Sequence, residues 1–376
     1  MSIGLYIHIP FCKAKCNYCH FISMQFDQVL EQRYRKTLLH EIKCLDPSIS
    51  AEEVDTIYFG GGTPGLIPAD HISDILDGCK QRFHVLENCE VSLETNPDTV
   101  TLDRASMYHS FGVSRISIGA QSFNEQELKS IGRLHSPGAI LEAVDRLRKC
   151  GFVNINLDLM LGLPFQTAKS WRNNLETIDR LSVPHISVYM LDLDEPCRLK
   201  SEIDGHSICI PEEDLVSDLY LATIDFLTAH GYVQYEISNF ARPDFACRHN
   251  IKYWRREPVL GFGLGSSSFD GESRYANCAG IDDYLQATES GMSPVSWRKQ
   301  VMAMQALEET LFLGLRLTEG VDWSRLRNKP MGENLAKYEA PINELCAGGL
   351  MERKDSVIRL TRSGMLLSNE IFQMFV

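Results

Sequence analysis

This 376-residue chain has no long apolar run: no stretch approaches the roughly 20 residues that a membrane-spanning helix needs. It is also short of positive charge. Its 37 Lys and Arg stand against 50 Asp and Glu, a net charge of −13. That balance argues against general nucleic-acid binding, because a phosphate backbone asks for a basic face. Internal repeats and low-complexity tracts are missing, which excludes solenoids and arrays. The opening MSIGLYIHIPFC has neither the basic start nor the apolar stretch of a secretion signal, so the expected location is cytoplasmic. Twelve cysteines in that compartment are not expected to pair as disulfides, because thiols there are kept reduced.

Three of those cysteines crowd into one short stretch, CKAKCNYCH, at Cys12, Cys16 and Cys19. Its last five residues fit the C-x-x-C-H pattern that attaches c-type heme, a reaction normally carried out outside the cytosol. A zinc site would use Cys12, Cys16, Cys19 and His20. However, adjacent Cys19 and His20 have difficulty pointing at one tetrahedral centre, and no second ligand pair follows at zinc-finger spacing. The third reading is a [4Fe-4S] cluster held at three corners, with the fourth iron open as a catalytic metal keeps a position open. S-adenosylmethionine (SAM) can occupy such a corner through its amino and carboxylate groups and be cleaved by an electron from the cluster.

Apolar, β-branched runs alternate with amphipathic helical patterns up to about residue 235. The expected strands are 3–9, 54–60, 89–95, 114–120, 153–160 and 185–191. Leu30, Tyr34, Leu38 and Ile42 mark one helical face, and Leu215, Leu219, Ala222 and Phe226 another. Six strand–helix units imply a parallel sheet with right-handed crossovers, a partial (β/α)6 TIM-like barrel in an α/β protein. The unusual residues fall at one end of it. The cysteines follow strand 1, GGGTP follows strand 2, Glu94 closes strand 3, Gln121 follows strand 4 and Asp158 ends strand 5. That is the face on which barrel active sites are built. Residues 1–235 are therefore read as the barrel, 236–297 as a loop-rich segment, and 298–376 as a smaller, mostly helical, winged-helix-like domain. In 331–376 acids and bases are nearly balanced, which favours packing over DNA binding.

C-x3-C-x2-C after a first strand, YIHIPFC, FGGGTP, GAQSF, NLDLMLGLP and YEISNFARPDFACRHNIKYW together resemble the radical SAM family, in its coproporphyrinogen-dehydrogenase-like branch. The resemblance covers essentially the whole chain. It implies that Cys12, Cys16 and Cys19 ligate the cluster and that Tyr6 lies beside SAM. It also implies that Gly61, Gly62 and Thr63 form the turn against its methionine end, and that Glu94, Gln121, Arg133 and Asp158 contact it. Glycines suit a turn that a ligand approaches closely, and an arginine can pair with a carboxylate. No catalytic residue is assigned.

Within that family two activities compete: oxidative decarboxylation of coproporphyrinogen III in porphyrin biosynthesis, and heme chaperoning. A cluster-bearing scaffold without SAM turnover is the third reading, so whether the chain is an enzyme stays open. The dehydrogenases carry a fourth cysteine two residues after the third, where this chain has Phe21, and a longer amino-terminal arm. His20 stands where the chaperones commonly have an aspartate. RHNIKYW matches the chaperones' H-N-x-x-Y-W, so His249 is the expected heme ligand. Arg242, Arg248, Lys252, Arg255 and Arg256 around it suit the two carboxylates of the cargo. The expected partners are heme, heme-accepting proteins, respiratory ones among them, and an electron donor for the cluster.

Overall fold

The computed structural model describes residues 2–45 and 52–375. Strands β1 (Ile3–Ile9), β2 (Glu53–Gly61), β3 (His84–Thr95), β4 (Arg115–Gln121), β5 (Asn154–Leu161) and β6 (His185–Met190) lie side by side, all parallel and in chain order. Each side chain's direction follows from the two-residue period of a strand. In β1, Ile3, Leu5, Ile7 and Ile9 are 0–4% exposed and join the hydrophobic core. Gly4, Tyr6 and His8 turn to the other face, where Tyr6 stacks on Tyr58, its partner in register. The barrel is thus apolar outside, under its helices, and polar within.

The helices follow from local signals. Helix α1 (Gln28–Cys44) starts at Asp27, whose carboxylate accepts from the Leu30 N–H at 2.8 Å, and buries Tyr34, Leu38 and Ile42 as the four-residue spacing predicts. The buried Tyr34 hydroxyl donates to the His8 carbonyl at 2.7 Å. Helix α2 (Glu213–Ala229) corrects the second expectation. Its buried face is Leu219, Tyr220, Thr223, Ile224 and Leu227, while Ala222 is exposed. This helix is apolar around most of its girth, so spacing alone selects a face about one residue off.

The segment 236–297, expected to be loop-rich, contributes strands that continue the sheet. Strands β7 (Val233–Gln234) and β8 (Asn239–Ala241) continue the sheet antiparallel from β6. At the other side β9 (Val259–Phe262) pairs parallel with β1, and β10 (Ser267–Phe269), β11 (Ser273–Asn277) and β12 (Val295–Gln300) extend it antiparallel. The result is one twelve-stranded sheet, with β12 and β7 at its edges.

The carboxyl-terminal unit contains helices Ala303–Gly314 and Ala336–Ala347 and the antiparallel strands β13 (Val321–Asp322), β14 (Met351–Lys354) and β15 (Val357–Leu360), with β15 in the middle. This agrees with a winged-helix-like expectation. Glu309 anchors it, clamped by Arg256 at 2.6 Å and Arg274 at 2.7 Å. No helix among the described residues is long and apolar enough to cross a membrane.

Candidate functional site

At the carboxyl ends of the strands the barrel opens into a cavity of about 460 Å³, within the roughly 300–1,000 Å³ of small-molecule sites. Every residue expected to contact a cluster or SAM lines it except Tyr6, namely Cys12, Cys16, Cys19, Gly61, Gly62, Thr63, Glu94, Gln121, Arg133 and Asp158. Tyr6 sits beneath, stacked on Tyr58, which does line it. Asp158 lies three residues inside β5 rather than at its end, so it is deeper in the barrel than the sequence suggests.

The cysteine loop is held from several sides. Asn17 donates its backbone N–H to Ile131 at 3.1 Å and accepts from the Leu199 N–H at 2.9 Å. The three thiols are free and half-buried. Burial pushes Cys12 and Cys19 above the usual thiol range. Among the described residues no three His, Cys, Asp or Glu side chains close round a single metal ion. All three thiols line the cavity.

Beside them, the Gly61–Thr63 turn is tied to the strand leading into Cys12, and the Thr63 hydroxyl lies 3.6 Å from the Cys12 sulfur. Gly62 N–H donates to the Ile9 carbonyl and Thr63 N–H to that of Phe11, both at 2.8 Å. Gly61 has a φ of +111°, and a Cβ there would lie 2.5 Å from the His8 ring. Only glycine fits.

Arg133 crosses the floor. It reaches the Cys16 sulfur at 3.5 Å, the Asn96 side-chain oxygen at 2.6 Å and the Gly119 carbonyl, and its Nε is buried without a partner. Asn96 in turn donates to the Thr63 hydroxyl at 3.1 Å, linking arginine, turn and cysteine loop. Gln121 adopts a left-handed backbone, with φ of +63°, and its Oε1 is buried without a partner. A strained residue with an orphaned acceptor is a mark of a ligand site.

Two carboxyls share the cavity. Glu94 accepts from the Tyr58 hydroxyl at 2.8 Å and the Gly61 N–H at 3.3 Å, and burial pushes it up to about 7. Asp158 accepts from Ser117 at 3.0 Å and Asn156 at 2.8 Å, and burial raises it as well. Soft thiols, close-packed glycines, an arginine and acceptor-rich carboxyls fit an iron–sulfur cluster beside a polar, hydroxyl-bearing ligand. Asn96, Tyr58 and Tyr189 also line the cavity and were not singled out from the sequence. Asn96 follows β3 directly, so the strand-end rule applied to Thr95-Asn96-Pro97 would have found it.

His249 does not join this site. The helix Arg248–Trp254 sits against the opposite, amino-terminal part of the barrel, where Glu90 accepts its first N–H groups at 3.2 Å. The His249 ring is 1% exposed and stacks on Tyr58. Its Nδ1 is 2.9 Å from the Thr56 hydroxyl and its Nε2 is 3.1 Å from that of Tyr253. Burial lowers it to about 3. With both nitrogens engaged and the ring shut from solvent, His249 presents no free lone pair to a heme iron in this arrangement. The cationic cluster around it is engaged too. Lys252 pairs with Asp55 and Glu257, Arg248 with Asp55, Arg255 with Glu319 and Arg256 with Glu309. Arg242 lies over the Tyr232 ring.

Residues 6–178 match the Radical SAM superfamily model and residues 303–367 the HemN C-terminal domain. Heme chaperone HemW of Bacillus subtilis is 31% identical over 99% of this chain and 98% of its own length. That of Lactococcus lactis is 33% identical over 99% and 96%. This chain belongs to the HemW family of radical SAM proteins. Escherichia coli HemW is 38% identical over 70% of this chain and 69% of its own. Among solved structures, the E. coli coproporphyrinogen III oxidase HemN, described as a radical SAM enzyme, superposes with a TM-score of 0.87. It covers all of this chain and 90% of that one at 24% identity, which shows the shared fold. Phe21, in the slot where the dehydrogenases carry a fourth cysteine, is 68% exposed.

Proposed function

We propose that this chain is a heme chaperone that carries a [4Fe-4S] cluster on Cys12, Cys16 and Cys19, binds SAM beside it and hands heme to acceptor proteins. The observation that carries the reading is the gathering of the thiols, the glycine turn, Arg133, Gln121 and both carboxyls at one cavity in a HemW-family chain. When bound, the cluster supplies one electron to the sulfonium of SAM. The protein's own groups do the rest. Gly61 and Gly62 would let backbone approach the methionine end, and Arg133 would pair with its carboxylate. Glu94 and Asp158 offer acceptors to ribose hydroxyls, and Gln121 offers its unpartnered oxygen. Tyr6 supports the floor through Tyr58. An electron donor, a cytoplasmic location and respiratory acceptors belong to the same proposal.

The test is a paired assay on anaerobically reconstituted protein. Heme titration should show saturable binding, and SAM with dithionite should yield 5′-deoxyadenosine. Coproporphyrinogen III should remain unchanged. Protoporphyrinogen among the products would instead make the chain a dehydrogenase, and absence of heme binding would remove the chaperone role.

A further inference from the structure

A heme-iron ligand needs a ring nitrogen with a free lone pair, and metal-bound imidazoles are oriented by a hydrogen bond from the other nitrogen, often to a backbone carbonyl. His249 fails that requirement, and so do His8 and His185; His135 bonds the Ala120 carbonyl through Nε2 at 3.2 Å, but it is only 7% exposed and does not line the cavity. His8 is held between the Ile22 carbonyl and Tyr6, and His185 between Asn156 and Tyr235. One imidazole among the described residues lines the cavity, that of His20. It is exposed, and its Nε2 lies 3.2 Å from the Asp192 carbonyl oxygen. A carbonyl only accepts, so in the neutral ring this contact places the proton on Nε2 and leaves the Nδ1 lone pair available to a metal. No partner for Nδ1 stands within hydrogen-bond distance among the described residues.

Part of the lining is apolar and could face a flat ring, alongside the exposed Lys15, Asp192 and Glu195. Phe21 is 68% exposed, Tyr189 39% and Met190 38%, all at the rim of the same cavity. Large side chains left in water together mark a surface awaiting an apolar partner. The contact of His20 with Asp192 sets the imidazole two residues from Met190, whose thioether is the other soft side chain that commonly ligates heme iron.

We infer that His20 supplies the iron ligand and that heme is seated across the cavity mouth against Phe21, Tyr189 and Met190. The inference rests on the heme-chaperone reading. It moves the cargo from the sealed amino end of the barrel to the open carboxyl end, directly over the proposed SAM site. A heme seated there covers the cavity, so cargo and SAM occupy one continuous space.

The experiment is ferric heme titration of reconstituted wild type, His20→Ala, His20→Tyr and His249→Phe, with iron and sulfide measured for each. Expected for His20→Ala is a shifted Soret band and affinity weakened roughly tenfold or more, with added imidazole restoring the band. His20→Tyr should show the charge-transfer absorption of a phenolate-bound ferric heme. His249→Phe should keep the wild-type band. Wild-type spectrum and affinity in both His20 variants would overturn the assignment and leave the chaperone reading standing. So would loss of cluster iron in His20→Ala at unchanged heme affinity, which would make His20 a partner of the cluster. No heme binding by the wild type would remove both.

Discussion

The two ends of the barrel are built from the same strands and carry similar residue types, yet they treat their polar groups in opposite ways. At the carboxyl end Gln121 Oε1 and Arg133 Nε are buried without partners, the thiols are free, and Glu94 and Asp158 open onto a cavity. At the amino end His249 and Lys252 are 1% and 2% exposed and each is held by two side chains. That end is not free of orphans, since Arg115 Nε and Ser92 Oγ lack partners, but it is sealed by the helix Arg248–Trp254. A motif rich in chemistry is therefore no guide to a site by itself. What separates ligand-binding from structural polar groups is whether a partner and a path from solvent exist.

The largest way to break this contrast is at the thiols. Cys12→Ala, Cys16→Ala or Cys19→Ala should each drop reconstituted iron and sulfide to background and stop 5′-deoxyadenosine formation. The fold should persist, because the side chains are half-buried rather than core. Retained iron in any one of them would show that its sulfur is not a ligand arm.

At the amino end the expected loss is stability rather than activity. His249→Ala removes a buried ring and leaves Thr56 and Tyr253 without their partner, a cost of about 3 kcal/mol read by urea denaturation. The pH dependence has a definite sign. His249 is lowered to about 3 when folded against about 6.5 unfolded. Between those values the unfolded chain binds the extra proton, so wild-type stability falls as pH drops below about 6.5. That slope should flatten in His249→Phe.

Glu94 should give the opposite slope. Its folded value of about 7 exceeds the ordinary 4.5, so the folded state holds the proton more tightly. Stability then decreases as pH rises from about 4.5 to about 7 and stays reduced above. Glu94→Gln should be indistinguishable from wild type near pH 4. At pH 8, without added SAM, it should be about 1–2 kcal/mol more stable while binding SAM more weakly. A stability difference independent of pH would mean that the carboxyl is already well solvated in the open cavity.

These opposite slopes also show how far the sequence is legible. β-branched runs mark the six strands, and their carboxyl ends mark the cavity, because a strand's period and the barrel's polarity are local rules. The sheet's continuation was not legible. Asn239 pairs with Ser187 and Val259 with Gly4, partners that strands of three and four residues do not announce. Nor was the fate of His249, which depends on Thr56, Tyr58 and Glu90, well over 150 residues away in sequence. His20, in sequence a zinc donor set aside on geometry and a departure from the family pattern, needs the fold of 189–195 to acquire its carbonyl partner.

The smallest expected effect sharpens the comparison at the cationic cluster. If those charges bound the cargo's carboxylates, removing an exposed one would weaken heme binding while hardly touching stability. Arg255 is the cleanest probe, since its side chain is 50% exposed and among the described residues pairs only with Glu319, itself 60% exposed. An exposed ion pair of this kind contributes about 0–1 kcal/mol. Arg255→Ala should therefore change the denaturation midpoint barely measurably and leave the heme dissociation constant unchanged. The same substitution at Arg256 would be misleading, because Arg256 clamps Glu309 and its loss would loosen the carboxyl-terminal unit. A clear loss of heme affinity in Arg255→Ala at unchanged stability would return the cargo to the amino end. It would also mean that the helix Arg248–Trp254 leaves its place when heme arrives.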